Sequence, residues 1–119
     1  MKWILSMLLA LVSLVAGAQS SDYYARQAQS YQREAEFYTR QANSYQREAD
    51  YYNRQAQSHL REAEYYTRQK RYDRAKTYQD RAKSATDKAW TYTRKANDAR
   101  SRVADYTKKA QAMMSKGRK

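Results

Sequence analysis

A 14-residue repeat constrains the fold of this chain more than any other feature of its sequence. Residues 23–36, 37–50 and 51–64, and a partial unit starting at residue 65, share one pattern, aromatic-Tyr-x-Arg-Gln-Ala-x-Ser-Tyr-Gln-Arg-Glu-Ala-acid, with His and Leu replacing one Tyr-Gln pair. Each unit equals two heptads, and apolar residues at alternating gaps of three and four residues form one stripe along a helix. The repeat therefore predicts long helices that pair through that stripe as a coiled coil.

Alanine and tyrosine supply this stripe, which we call the seam. In the first segment, position a holds Ala28, Ala35, Ala42, Ala49, Ala56 and Ala63, and position d holds Tyr24, Tyr31, Tyr38, Tyr45, Tyr52, His59 and Tyr66. In the second segment, position a holds Ala75, Ala82, Ala89, Ala96, Val103 and Ala110, and position d holds Tyr78, Ala85, Tyr92, Ala99, Tyr106 and Met113. The small a residues predict close helix packing, and the tyrosines are expected to supply most of the buried area.

The heptad phase changes between the two segments. Ala63 and Ala75 are 12 residues apart, two fewer than two heptads, so the stripe is displaced between residues 68 and 74. A stammer in one continuous helix or a turn between two helices can produce this shift. Charge favours the turn, because folding back places carboxylates at position g of the first segment near cations at position g of the second. The expected pairs are Glu62 with Arg74 or Arg81, Glu48 with Lys88 or Lys95, and Glu34 with Arg102 or Lys109.

We therefore predict an all-α fold, an antiparallel helical hairpin with a turn near residues 69–73; one continuous rod is the less favoured alternative. The expected organisation is a signal peptide at 1–18, a repeat helix at 19–68, the turn at 69–73, a second helix at 74–115 and a basic tail at 116–119. The signal peptide is indicated by Lys2, an apolar run over residues 4–15 and a small-x-small site ending at Ala18. The chain is thus expected to be secreted, or periplasmic in a bacterium.

The composition argues against catalysis. The chain has no cysteine, two glycines and a single histidine, His59, which occupies a d position of the seam. Metal sites and phosphate-binding loops need residues that this composition lacks. The sequence therefore predicts no enzyme activity, no metal, no cofactor and no small-molecule substrate.

The positive charge indicates a different kind of partner. The formal net charge is +12, and position f carries arginine in every heptad of the first segment, a set that we call the arginine ladder. Its members are Arg26, Arg33, Arg40, Arg47, Arg54, Arg61 and Arg68. Arginine binds sulfate and phosphate through paired donors, so the expected partners are acidic polysaccharide, acidic matrix protein or an anionic surface. A pattern that could read bases is absent, and we expect no sequence-specific nucleic acid.

Additional aromatic residues at position c widen the stripe in every second heptad and favour a homo-oligomer. They are Tyr23, Phe37, Tyr51 and Tyr65, which we call the outer aromatic residues. The sequence thus predicts a self-associating structural protein of the extracellular matrix type. An alternative is a cationic defence, venom-type or processed polypeptide, because Lys70-Arg71 resembles a convertase site and Gly117, followed by two basic residues, resembles an amidation signal.

Overall fold

The computed structural model describes the backbone of residues 2–118 and the side chains of residues 21–118. Helix α1 spans Lys2–Arg68 and helix α2 spans Tyr72–Gly117, with no strand in the described range. The two helices form an antiparallel hairpin, which confirms the predicted fold class; the alternative of one continuous rod is wrong. The predicted signal peptide and its cleavage candidate Ala18 lie outside the residues whose side chains are described. No helix among the described residues has an apolar stretch long enough to cross a bilayer.

Both helices follow from the absence of residues that interrupt helices. The chain has no proline, and its glycines lie at positions 17 and 117, so residues 18–116 contain neither of the two strong helix breakers. The second glycine, Gly117, is the last residue of α2. The seam then selects the faces that meet, because helical stability in proteins comes mainly from packing of an apolar face.

A three-residue link reverses the chain at Gln69, Lys70 and Arg71. The N–H of Arg71 donates to the carbonyl of Tyr66 at 2.8 Å, and the N–H of Lys70 donates to the carbonyl of Thr67 at 3.0 Å. These two bonds form a Schellman motif, in which the residue after the helix adopts a left-handed conformation. Lys70 takes that position with a φ of 59°, where glycine is the usual residue.

Helix α2 begins directly after this motif. The carbonyl of Arg71 accepts a hydrogen bond from the N–H of Ala75 at 3.0 Å. Asp73 lies in the first turn, where its carboxylate interacts favourably with the positive end of the helix dipole. The observed helix therefore starts at Tyr72, two residues before the position expected from the heptads, and it continues two residues further than expected, to Gly117.

The hairpin divides into two compact units. Residues 38–101 form one unit, which contains the turn, and residues 1–37 with 102–119 form the other. Among the described residues, every fully buried apolar side chain is an alanine, and the seam tyrosines are half-buried. Ala49 and Ala96, at a positions of opposite helices in the first unit, are both 0% exposed. The core of the hairpin is therefore the alanine stripe that the repeat predicts.

Candidate functional site

The rings of the seam form an ordered row in the unit of residues 38–101. Tyr78 of α2 lies between two rings of α1, with its centroid 5.4 Å from that of Tyr66 and 6.0 Å from that of His59. Tyr92 lies in the same way, 5.7 Å from Tyr52 and 6.1 Å from Tyr45. Tyr78 and Tyr92 therefore each fill the space between two consecutive d residues of α1. We call this set the tyrosine row.

The unit of residues 1–37 and 102–119 contains the same kind of contact. The ring centroids of Tyr31 and Tyr106 are 6.0 Å apart. Tyr106 follows Tyr92 by 14 residues, as Tyr92 follows Tyr78. The helix α2 thus supplies a ring to the seam once per 14 residues, while α1 supplies one in every heptad.

Between these rings α2 has alanine at position d, and the tyrosine row is interrupted. Ala85 lies halfway between Tyr78 and Tyr92 in sequence, and a notch of about 260 Å³ opens above it. The side chains that line this notch include three rings, Tyr51, Tyr52 and His59, and two cations, Arg81 and Lys88. We call this feature the Ala85 gap. The gap thus has both aromatic rings and cations among its lining side chains, and it is open to solvent.

Cations at position g of α2 lie over the rings of the row. In the unit of residues 38–101, Arg74 lies 5.6 Å from the ring centroid of Tyr66, Lys88 5.4 Å from Tyr52, and Lys95 5.7 Å from Tyr45. Each of these contacts joins the two helices. Because a cation over an aromatic face is attracted by the ring quadrupole, these side chains hold the hairpin closed along one edge. We use the name basic edge for the four g residues Arg74, Arg81, Lys88 and Lys95.

Two further basic g residues show the same preference for tyrosine rings. Arg81 lies 5.0 Å from the centroid of Tyr78 in its own helix. In the second unit, Lys109 lies 5.9 Å from Tyr31 and 5.0 Å from Tyr106. The spacing from d to g within a heptad is three residues, which brings two side chains onto the same helix face. This spacing is the feature of the sequence from which the contacts between g cations and d tyrosines could have been predicted.

The ion pairs expected across the hairpin do not form. Among residues 21–118, Glu34, Glu48 and Glu62 have no cationic group within 4.0 Å, and the ion pair seen is an exposed one between Arg26 and Asp22 of the same helix. The two helix edges that were predicted to meet do lie together, but the predicted contact between glutamates and cations is wrong. The cations lie instead over half-buried tyrosine rings, 5.0–5.9 Å from the ring centroids.

The arginine ladder lies on the outside of α1. All seven of its side chains are exposed, because position f is opposite the seam. Arg26 also donates from Nε to the carbonyl of Asp22 at 3.4 Å. The ladder is balanced by carboxylates of its own helix, since residues 21–68 carry seven arginines and seven acids. Helix α2 carries twelve Lys and Arg against five Asp, a net charge of +7.

The outer aromatic residues lie at the surface, each between 45% and 56% exposed. Tyr51 packs edge-on against Tyr52 with centroids 5.2 Å apart, and Tyr65 packs in the same way against Tyr66. These contacts hold one edge of each ring against the tyrosine row and leave the remainder in solvent. Large half-exposed rings at a regular spacing are typical of surfaces that bind a partner.

The processing candidates lie at the two ends of α2. Lys70 and Arg71 are exposed in the turn, and Gly117 is half-buried. A methyl group added at Gly117 would lie 3.5 Å from Cβ of Tyr24, an ordinary packing distance. Neither site is tested by these positions, and cleavage and amidation stay predictions.

Comparison with known proteins gives no relative for this chain. No protein-family model, no curated protein and no solved structure matches it. Function is therefore inferred from the residues and contacts described above.

Proposed function

We propose that this protein is a secreted, non-enzymatic coiled-coil protein that binds polyanions through its arginine and lysine surfaces and associates with itself. The observation that carries this proposal is the state of the cations. The arginine ladder and the basic edge are solvent-exposed, and within these two sets Arg26 alone has a carboxylate at 4.0 Å or less. Cations that lack carboxylate partners are available to sulfate, carboxylate or phosphate groups of another molecule.

The spacing of these cations suits a linear, repeating ligand. Successive members of the arginine ladder, and of the basic edge, are seven residues apart, which is about 10.5 Å along a helix. Acidic polysaccharide presents anionic groups at regular intervals along one chain. A matrix of acidic polysaccharide or acidic protein is therefore the partner that the charge pattern supports best.

Self-association is supported by the outer aromatic residues. A hairpin whose fully buried apolar side chains, in the described range, are all alanine gains little from each of them, since apolar burial contributes about 25 cal/mol per Å². The half-exposed rings offer further apolar area that a second chain can cover.

Export is supported by the features of residues 1–18. N-terminal sequencing of the protein released by expressing cells should find Gln19 as the first residue.

Binding of heparin at graded salt tests the polyanion activity. We expect the affinity to fall steeply with NaCl, because binding releases counterions from the polyanion. Replacing Arg47, Arg54 and Arg61 with glutamine should lower both the affinity and the salt slope. The same three positions changed to lysine serve as the control, since they keep the charge and should keep the slope.

Two results would contradict the polyanion proposal. One is heparin affinity that does not change with salt. The other is equal binding of neutral dextran, which has no anionic groups.

A further inference from the structure

We propose that two copies of this chain pack with their basic edges facing each other, and that exposed tyrosines of one copy fill the gaps in the tyrosine row of the other. This inference rests on the self-association proposed above and names the surface responsible for it. The inserted side chains are Tyr51 and Tyr65, and the receiving positions are Ala85 and Ala99. All four residues belong to the unit of residues 38–101.

The Ala85 gap has the width of one ring. Consecutive d residues of α1 are about 10.5 Å apart along the axis, and Tyr78 and Tyr92 each fill such an interval with centroid distances of 5.4–6.1 Å on either side. His59 and Tyr52 border an equal interval, in which α2 has Ala85 at position d instead of a ring. The same chain's Tyr51 also lines this interval, together with Gln55, Ser84, Arg81 and Lys88. A ring from outside can therefore stack there as Tyr92 stacks against Tyr52.

The spacing of the two inserted tyrosines matches the spacing of the two alanines that receive them. Tyr51 and Tyr65 are 14 residues apart, and so are Ala85 and Ala99, a separation of about 21 Å on a helix. Ala99 occupies the d position equivalent to Ala85, so α2 supplies no ring to the seam at either residue. In a two-fold dimer with antiparallel α1 helices, both tyrosines of each copy can reach both gaps of the other. Such a self-complementary interface is the commonest form of protein oligomer.

Charge complements this arrangement. Glu48 precedes Tyr51 by three residues and Glu62 precedes Tyr65 by three, so each glutamate lies on the same helix face as its tyrosine. Both carboxylates lack an ion pair within 4.0 Å among the described residues. Arg81 and Lys88 are among the side chains that line the Ala85 gap. A tyrosine entering that gap therefore brings an unpaired carboxylate towards two cations that already border it.

Sedimentation equilibrium on the full chain and two double variants tests the proposal. The variant Ala85→Tyr/Ala99→Tyr fills the gaps without changing the charge, and the variant Tyr51→Ser/Tyr65→Ser removes the inserted rings, using the residue found at the alternate c positions. We expect each to weaken self-association by about tenfold or more, because buried aromatic anchors dominate interface affinity. Ala104→Tyr and Tyr72→Ser are the matched controls at exposed positions and should associate as the original chain does.

Mixing the two double variants gives the sharpest test. The gap-filled variant retains its exposed tyrosines and the tyrosine-free variant retains its gaps, so the two should associate with each other more tightly than either does with itself. Circular dichroism must show both to be helical. If both variants associate as strongly as the original chain, or if the mixture gains nothing, the proposal is overturned while self-association itself stands.

Other outcomes separate the two proposals. An original chain that stays monomeric at all concentrations would overturn both self-association and this inference. If filling the gaps instead weakens heparin or single-stranded nucleic acid binding by about tenfold and leaves self-association intact, the gaps receive that ligand and the second-copy proposal falls.

Discussion

Alanine and tyrosine have different roles in the seam, and the difference is visible in their exposure. Alanine at position a is fully buried in ten of the described heptads and lets the two backbones approach closely. Tyrosine at position d is half-buried and covers the alanines from the side, where one face can meet a second ring and the other a cation. Tyr92 shows this best, since it contacts Tyr52, Tyr45 and Lys95.

The contribution of a row tyrosine can be measured at Tyr92. Tyr92→Ala should lower the free energy of unfolding by about 2 kcal/mol, because it removes a half-buried ring and two ring contacts. Urea denaturation followed by circular dichroism gives this value. Tyr72→Ala is the control, since Tyr72 is 63% exposed, and its effect should stay below about 0.5 kcal/mol. Equal effects at the two positions would contradict the packing role of the row.

The cation contacts are tested at Lys95, which lies over Tyr45 and Tyr92. Lys95→Gln should destabilise the hairpin by about 0.5–1 kcal/mol through loss of the cation–ring attraction. Lys83→Gln removes the same charge at an exposed position of α2 and should leave the unfolding free energy nearly unchanged. A stabilising effect of Lys95→Gln would mean that repulsion among the cations outweighs their attraction to the rings.

Residue-level prediction from this sequence succeeded for the seam and failed for the cations, for a physical reason. Heptad spacing determines which positions face the partner helix, and Ala28, Ala42 and Ala49 are buried accordingly. Spacing does not determine which of two nearby groups a long side chain contacts. Lys88 had both a glutamate and a tyrosine within reach, and the contact observed is with Tyr52.

At the scale of the elements, the sequence predicts the position of the turn better than it predicts the ends of the helices. The 12-residue step from Ala63 to Ala75 places the turn correctly, since a three-residue link removes the phase difference between the two stripes. The helix ends were less well defined, because Tyr72 and Asp73 carry no heptad signal. Tyrosine and alanine alternate at position d of α2, and this alternation indicates where α2 supplies no ring. The sequence did not predict the Ala85 gap, because the gap also depends on the positions of the α1 rings opposite.

In the turn, we predict a substitution that stabilises the protein. Lys70→Gly should raise the free energy of unfolding by about 0.5–1 kcal/mol, because Lys70 has a φ of 59° and a side chain is strained in that region. Thermal or urea denaturation measures the change. The same substitution at Lys76, within helix α2, should destabilise by about 1 kcal/mol. Destabilisation by both would show that the left-handed conformation at residue 70 is not maintained.

At the scale of the whole molecule, the charge is unevenly distributed. Residues 21–68 of α1 carry no net charge, whereas α2 carries a net charge of +7. Copies of a chain with a net charge of +12 repel one another over about a Debye length. A polyanion is attracted by the same charge. The two activities proposed for this protein should therefore respond to salt in opposite directions.

This opposition can be measured in a single set of buffers. Raising NaCl from about 50 to 200 mM should weaken heparin binding by at least about tenfold, because each counterion released into more concentrated salt gains less entropy. Over the same range, self-association should stay constant or strengthen, since salt screens the repulsion between copies while stacking of tyrosine rings is not screened. Calorimetric titration gives the first quantity and sedimentation equilibrium the second. Self-association that weakens in parallel with heparin binding would show that ion pairs, and not inserted tyrosines, hold the copies together.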